Sequence, residues 1–146
     1  MQHSFAPLRF TVVLCAVAVC LASTAQARSI PGQRVQVSAP CLTTLHIVTD
    51  RALSNAVDVP GSWPTGLQST TAADGTITLT QAGCPGGQSL ELHTPSAMPL
   101  AIDSPQSTRI MIDDRTGPMS IQAGSGALDA GRTGQIDLAT VSSGPI

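Results

Sequence analysis

A glycine beat governs the second half of the chain. Gly117-Pro118-Met119-Ser120-Ile121, Gly126-Ala127-Leu128, Gly134-Gln135-Ile136-Asp137-Leu138 and Gly144-Pro145-Ile146 each set a glycine before a small or polar residue and then an aliphatic one, at spacings of 9, 8 and 10 residues. That interval is too short for a strand, a crossover helix and a second strand. It suits strands of about three to five residues joined by tight turns, with apolar side chains on alternate positions. Two beats then make one coil of a β-solenoid, in which each coil buries its apolar face only by stacking on its neighbours.

Composition supports thin stacked layers. Both Phe residues lie before Pro31, no Tyr occurs anywhere, and Trp63 is the one aromatic of the remaining chain, so a core must be built from Ile, Leu, Val and Ala. Sandwiches and barrels usually gain much of their burial from large rings, whereas a narrow inward ladder has room only for medium aliphatics. After Ala27 the chain holds six Arg, no Lys and nine Asp or Glu, a net charge of −3. There is no basic footprint for nucleic acid.

The N-terminus reads as an export signal. His3 and Arg9 precede an uncharged apolar run from Phe10 to Ala22, followed by Ala25-Gln26-Ala27 with small residues at −3 and −1 of a cut after Ala27. The 13-residue run is short for a membrane span, so no transmembrane segment is expected once the signal is removed. The expected division is a signal peptide at 1–27 and one domain at 28–146, with irregular strands and a loop over 28–89 and regular coils over 90–146. Localisation is then periplasmic or extracellular.

Cys15 and Cys20 belong to the signal, which leaves Cys41 and Cys84. An even count in an exported chain points to a disulfide, and closing that loop would stabilise the fold by about 4 kcal/mol on the chain-entropy account. The rival is a Cys2His2 metal set with His46 and His93. Neither cysteine sits in a CxxC or CxH pair, so no metal and no cofactor is expected.

Along the chain, Arg28 to Gln33 reads as a frayed lead-in. Strands are expected at Arg34-Val35-Gln36-Val37-Ser38, Leu45 to Thr49, Thr76 to Thr80, Leu90 to His93, Leu100 to Asp103 and Arg109 to Asp113. Ser54 to Thr71, with Pro60, Gly61, Pro64 and Gly66, reads as a long connection holding one short strand at Val57-Asp58-Val59. Asp74-Gly75 is a turn dipeptide. No stretch sustains helical apolar spacing.

Leu45 to Asp50, Asp74 to Leu79 and the run from Ser89 to Ile146 resemble the autotransporter-adhesin head GIN domain family of bacterial exported proteins. The phrase Gly124-Ser125-Gly126-Ala127-Leu128 carries the likeness, and Ser142-Ser143-Gly144-Pro145-Ile146 echoes it more loosely. The cysteine pair lies outside that pattern. The resemblance implies an all-β, short right-handed β-solenoid and an envelope location, and it implies no catalytic residues.

Among chemistry-bearing residues, Asp103, Asp113 and Asp114 with Arg109 and Arg115 form the one dense charge cluster. If coils stack in register, Asp103 and Asp113 share a phase on successive strands, as acid–base work on a polysaccharide would need. The simpler explanation is that Asp and Arg end strands at solvated turns, where Asp accepts backbone hydrogen bonds. No nucleophile elbow is present, and His46 and His93 read as strand residues rather than bases. Trp63, in a Pro/Gly loop, could stack on a sugar but more often plugs one end of a core.

The sequence therefore leads to a non-enzymatic, adhesin-like binding or structural module of the bacterial envelope. Its candidate ligand contacts are Trp63, Asp103, Asp113 and Arg115, and its candidate partners are a glycan or an envelope protein. Two alternatives stand beside it, a small carbohydrate-active β-helix enzyme and a subunit that self-associates end to end through an open C-terminal ladder of Ile136, Leu138 and Ile146.

Overall fold

The computed structural model describes residues 28–141, all of it strands and turns. The expected signal at 1–27 and the strand start at Gly144–Ile146 lie outside the described residues. Twelve strands follow one another: β1 (Arg28–Pro31), β2 (Arg34–Ser38), β3 (Leu42–Thr49), β4 (Ala56–Val59), β5 (Leu67–Thr71), β6 (Thr76–Gln81), β7 (Gln88–Thr94), β8 (Leu100–Ser104), β9 (Arg109–Ile112), β10 (Met119–Ala123), β11 (Leu128–Ala130) and β12 (Ile136–Val141).

They form two mixed six-stranded sheets. The first runs β1-β4-β7-β3-β9-β11 and the second β12-β10-β8-β2-β6-β5. Four pairs of consecutive strands, β2/β3, β6/β7, β8/β9 and β10/β11, place one member in each sheet and stack in the same sequence in both. The earliest pair, β2/β3, sits in the middle. Its neighbours are β6/β7 on one side and β8/β9 on the other, all joined by parallel pairing.

Alternation along each strand explains the core. In the second sheet Leu79, Val37, Ile102 and Ile121 are successive register partners, as are Ile77, Val35, Leu100 and Met119. The first sheet repeats this with Leu90, Leu45, Ile110 and Leu128. All twelve side chains are buried and belong to one cluster, so the two sheets face each other across these ladders. A Leu or Ile fully buried in this way contributes about 1.5–3 kcal/mol.

The glycine beat has a steric cause. A Cβ on Gly117, Gly124, Gly126 or Gly134 would come within 3.0 Å of a backbone carbonyl in an earlier turn, at Ala97, Pro105, Thr108 and Thr116 respectively. Each of these contacts reaches back 18 to 20 residues, the length of one strand pair with its two turns. By contrast, Gly83 has φ +77° and open space around it, so its role is conformational.

Two segments depart from the sequence expectation. Arg28 to Pro31, expected to fray, forms β1 and pairs antiparallel with β4. Its single inward residue, Ile30, is too short a signal to read, and Pro31 is tolerated because the strand is at an edge. Within the long connection a second strand, β5, pairs antiparallel with β6; its polar sequence Leu67-Gln68-Ser69-Thr70-Thr71 buries only Leu67. Together β1 and β5 occupy one end of the stack. Trp63 lies against the core there, donating its indole N–H to the Leu67 carbonyl while the Arg28 guanidinium sits 4.5 Å above its ring.

Cys41 and Cys84 occupy the equivalent turns β2–β3 and β6–β7. Because those strand pairs are neighbours, the turns stack and bring the two Cα atoms to 5.0 Å, with the sulfurs at disulfide distance. Replacing both by Ser should lower stability by about 2–4 kcal/mol in urea unfolding, and thiol titration of the unfolded, unreduced wild type should find neither Cys41 nor Cys84 free. Gly126→Ala should cost about 3 kcal/mol because backbone must move, whereas Gly83→Ala should cost about 1 kcal/mol from backbone strain alone. Equal losses in the same unfolding assay would contradict the steric account.

Candidate functional site

The outer face of the first sheet carries the densest chemistry. With Leu45 and Ile47 turned inward, His46 must face out of β3; Glu91 faces out of β7 for the same reason. Register sets His46 beside Glu91 on one side and Met111 on the other, and sets His93 beside Asp58 of β4. Five side chains then follow one another across the sheet. Asp113 Oδ1 is 3.2 Å from His46 Nε2, His46 Nδ1 is 3.9 Å from Glu91 Oε2, Glu91 Oε1 is 2.9 Å from His93 Nε2, and His93 Nδ1 is 3.7 Å from Asp50 Oδ2.

Each imidazole thus lies between two carboxylates. Neither nitrogen pair is turned to a hydroxyl, so the arrangement differs from a serine–histidine relay. Among the described residues no group of three or more His, Cys, Asp or Glu could hold a metal ion, and Cys41 and Cys84 are paired away from both histidines. A shallow open depression of about 590 Å3 lies at the end of this row, lined by His46, Arg51, Met111, Asp113, Asp114 and Asp129.

The residues singled out from sequence separate. Asp113 enters the depression, but its carboxylate also accepts the Thr49 N–H at 3.4 Å, and its own N–H donates to the Ile47 carbonyl at 3.0 Å. It therefore prolongs the β9–β3 pairing past the strand end. Asp114 accepts the Arg132 N–H at 2.7 Å, tying one turn to the next. Asp103 is exposed on β8, in the other sheet, so it does not join Asp113. Shared phase on successive strands places such residues on opposite sheets.

Arg115 is the least expected. It is 3% exposed, with Nη1 donating to Thr94 Oγ1 at 3.3 Å and Nη2 donating to the Met98 carbonyl. Its backbone N–H donates to the Arg132 carbonyl and its own carbonyl accepts the Gly134 N–H. Burial holds its guanidinium below the ordinary arginine range. Trp63 is half-buried at the far end of the stack. His46, Glu91 and His93 were not legible as a group, because their meeting depends on register between strands about 45 residues apart.

No protein-family model, no curated protein and no solved structure matches the chain. No helix among the described residues is long and apolar enough to cross a membrane.

The geometry separates structural from surface carboxylates. Asp113→Ala should lower stability by about 1 kcal/mol, since it removes the acceptor of the Thr49 N–H and the carboxylate beside His46 Nε2, while Asp103→Ala should stay within about 0.5 kcal/mol of wild type. Chemical unfolding of the two variants reads this directly. A neutral Asp113→Ala would show that its contacts do not brace the sheet.

Proposed function

We propose that this chain is a short right-handed β-solenoid of the autotransporter-adhesin head GIN kind, exported by its N-terminal segment to the periplasm or cell surface, where it acts as a non-enzymatic binding module. The observation that carries this reading is the in-register parallel ladder repeated in two facing sheets. Such stacking commits every inward position to aliphatic packing and leaves two outer faces of repeating polar residues. Faces of that kind bind extended partners by many weak contacts.

The partner class proposed is a glycan, with an envelope protein as the other source of a long polar surface. The shallow depression at His46, Asp113 and Asp129 suits one sugar-sized group, and its imidazole is held by carboxylates on both sides rather than poised as a base. A glycan array with the secreted protein should show reproducible binding that Asp129→Ala, an exposed residue lining the depression, weakens. Binding to none of the glycans, together with hydrolysis of a polysaccharide abolished at Asp113, would replace the binding module with the carbohydrate-active alternative. Mass spectrometry of the secreted species should begin at Arg28.

End-to-end assembly is a second reading, favoured by Ile136. This residue continues the Met119 ladder as its register partner yet is 42% exposed. The side chains of Leu138 and Ile146 lie outside the described residues. Light scattering over a roughly hundredfold dilution should show concentration-dependent association, and a constant monomer mass would remove this reading.

A further inference from the structure

A second depression, of about 260 Å3, opens on the turn between β9 and β10 beside the first. Its walls hold Arg51, Arg115 and Arg132 together with Ser96, Thr116 and Asp114. Three arginines and one aspartate thus line the same depression. That carboxylate is already engaged by the Arg132 backbone N–H at 2.7 Å, and among the described residues every ion pair is between a histidine and an acid. Among the described residues no arginine is ion-paired to a carboxylate, so Asp114 is the one acidic group set against three arginines in this depression.

Arg115 makes the case sharper than a surface cluster would. The residue is 3% exposed, and among the described residues its Nε–H has no partner. A buried cation satisfied only by a hydroxyl and a carbonyl is costly, and a buried donor without an acceptor adds to that cost. An anion seated in the depression would offset the first of these costs, the uncompensated positive charge. Around it, Ser96 Oγ and Thr116 Oγ1 lie 3.2 Å apart at the surface and can turn their hydroxyls outward.

We propose that this turn is a binding site for a single oxyanion, a sulfate or phosphate group, held by the exposed guanidiniums of Arg51 and Arg132 and the hydroxyls of Ser96 and Thr116 above the buried Arg115. Guanidinium forks match the oxygen spacing of such groups. The adjoining acidic row, with Asp113 and Asp129, repels a second anion and so selects a ligand with one charged group rather than a polyanion. The group can arrive as the free ion or as an ester on an otherwise neutral saccharide. The site does not depend on the glycan reading, since inorganic anion alone tests it.

Calorimetric titration of the purified protein with inorganic sulfate, inorganic phosphate and monosulfated galactose, at ionic strength matched with chloride, provides the test. Saturable binding of sulfate or phosphate is expected. The exposed double change Arg51→Ala/Arg132→Ala should weaken it at least about tenfold without loss of the β circular dichroism spectrum, while Arg109→Ala, exposed at the start of β9, should leave it unchanged. Tighter binding of the monosulfated sugar would assign the ester as the source, and equal binding the free ion. Absence of saturable binding of either inorganic anion, or equal weakening by Arg109→Ala, would overturn the proposal.

Discussion

The structure depends on like stacking upon like at a spacing that leaves no room for error. Parallel strands in register lie about 4.8 Å apart, so every inward side chain rests on a partner of similar size and every turn rests on the turn below. Leu79, Val37, Ile102 and Ile121 show the first half of that constraint, and Gly117, Gly124, Gly126 and Gly134 show the second. A chain almost without aromatics can meet it because no ladder position needs a ring.

Register also builds the chemistry. Once Leu45 and Leu90 are partners, His46 and Glu91 are partners too, and the acid–imidazole row across β9, β3 and β7 follows without further instruction. The arginine turn arises differently. Asp114 bridges to the Arg132 turn and Arg115 bridges back to Thr94 and Met98, so three turns are tied through two adjacent residues. Two adjoining depressions result that share Arg51 and Asp114, the first richer in acidic residues and the second in arginines.

Much of the strand pattern was legible, because alternation of apolar and polar residues is a local signal: β2 matches its expected bounds, and β3, β6, β7, β8 and β9 overlap theirs. The two end strands were not, since β1 and β5 each offer one inward residue and gain their place by pairing with β4 and β6. The central position of β2/β3 was equally hidden, as it is fixed by which ladder meets which. At the site, Asp113 and Asp114 were visible as a charge cluster, yet their roles in bracing turns came from backbone contacts no composition reveals. Arg115 illustrates the limit most clearly. A charged residue at a turn reads as solvated, and only the packing of Thr94 and Met98 around it shows that it is buried.

The central claim is the stacking order itself, with β2/β3 between β6/β7 and β8/β9. Engineered cysteines test it most directly on the outer face of the second sheet, where Gln36 of β2 is the register partner of Ala101 of β8 and is separated from Gln122 by that strand. With the native pair intact, oxidation of Gln36→Cys/Ala101→Cys should give a cross-link in peptide mapping, while Gln36→Cys/Gln122→Cys should not, because disulfides need Cα atoms within about 7 Å. Cross-linking of the second pair in preference to the first would contradict the account.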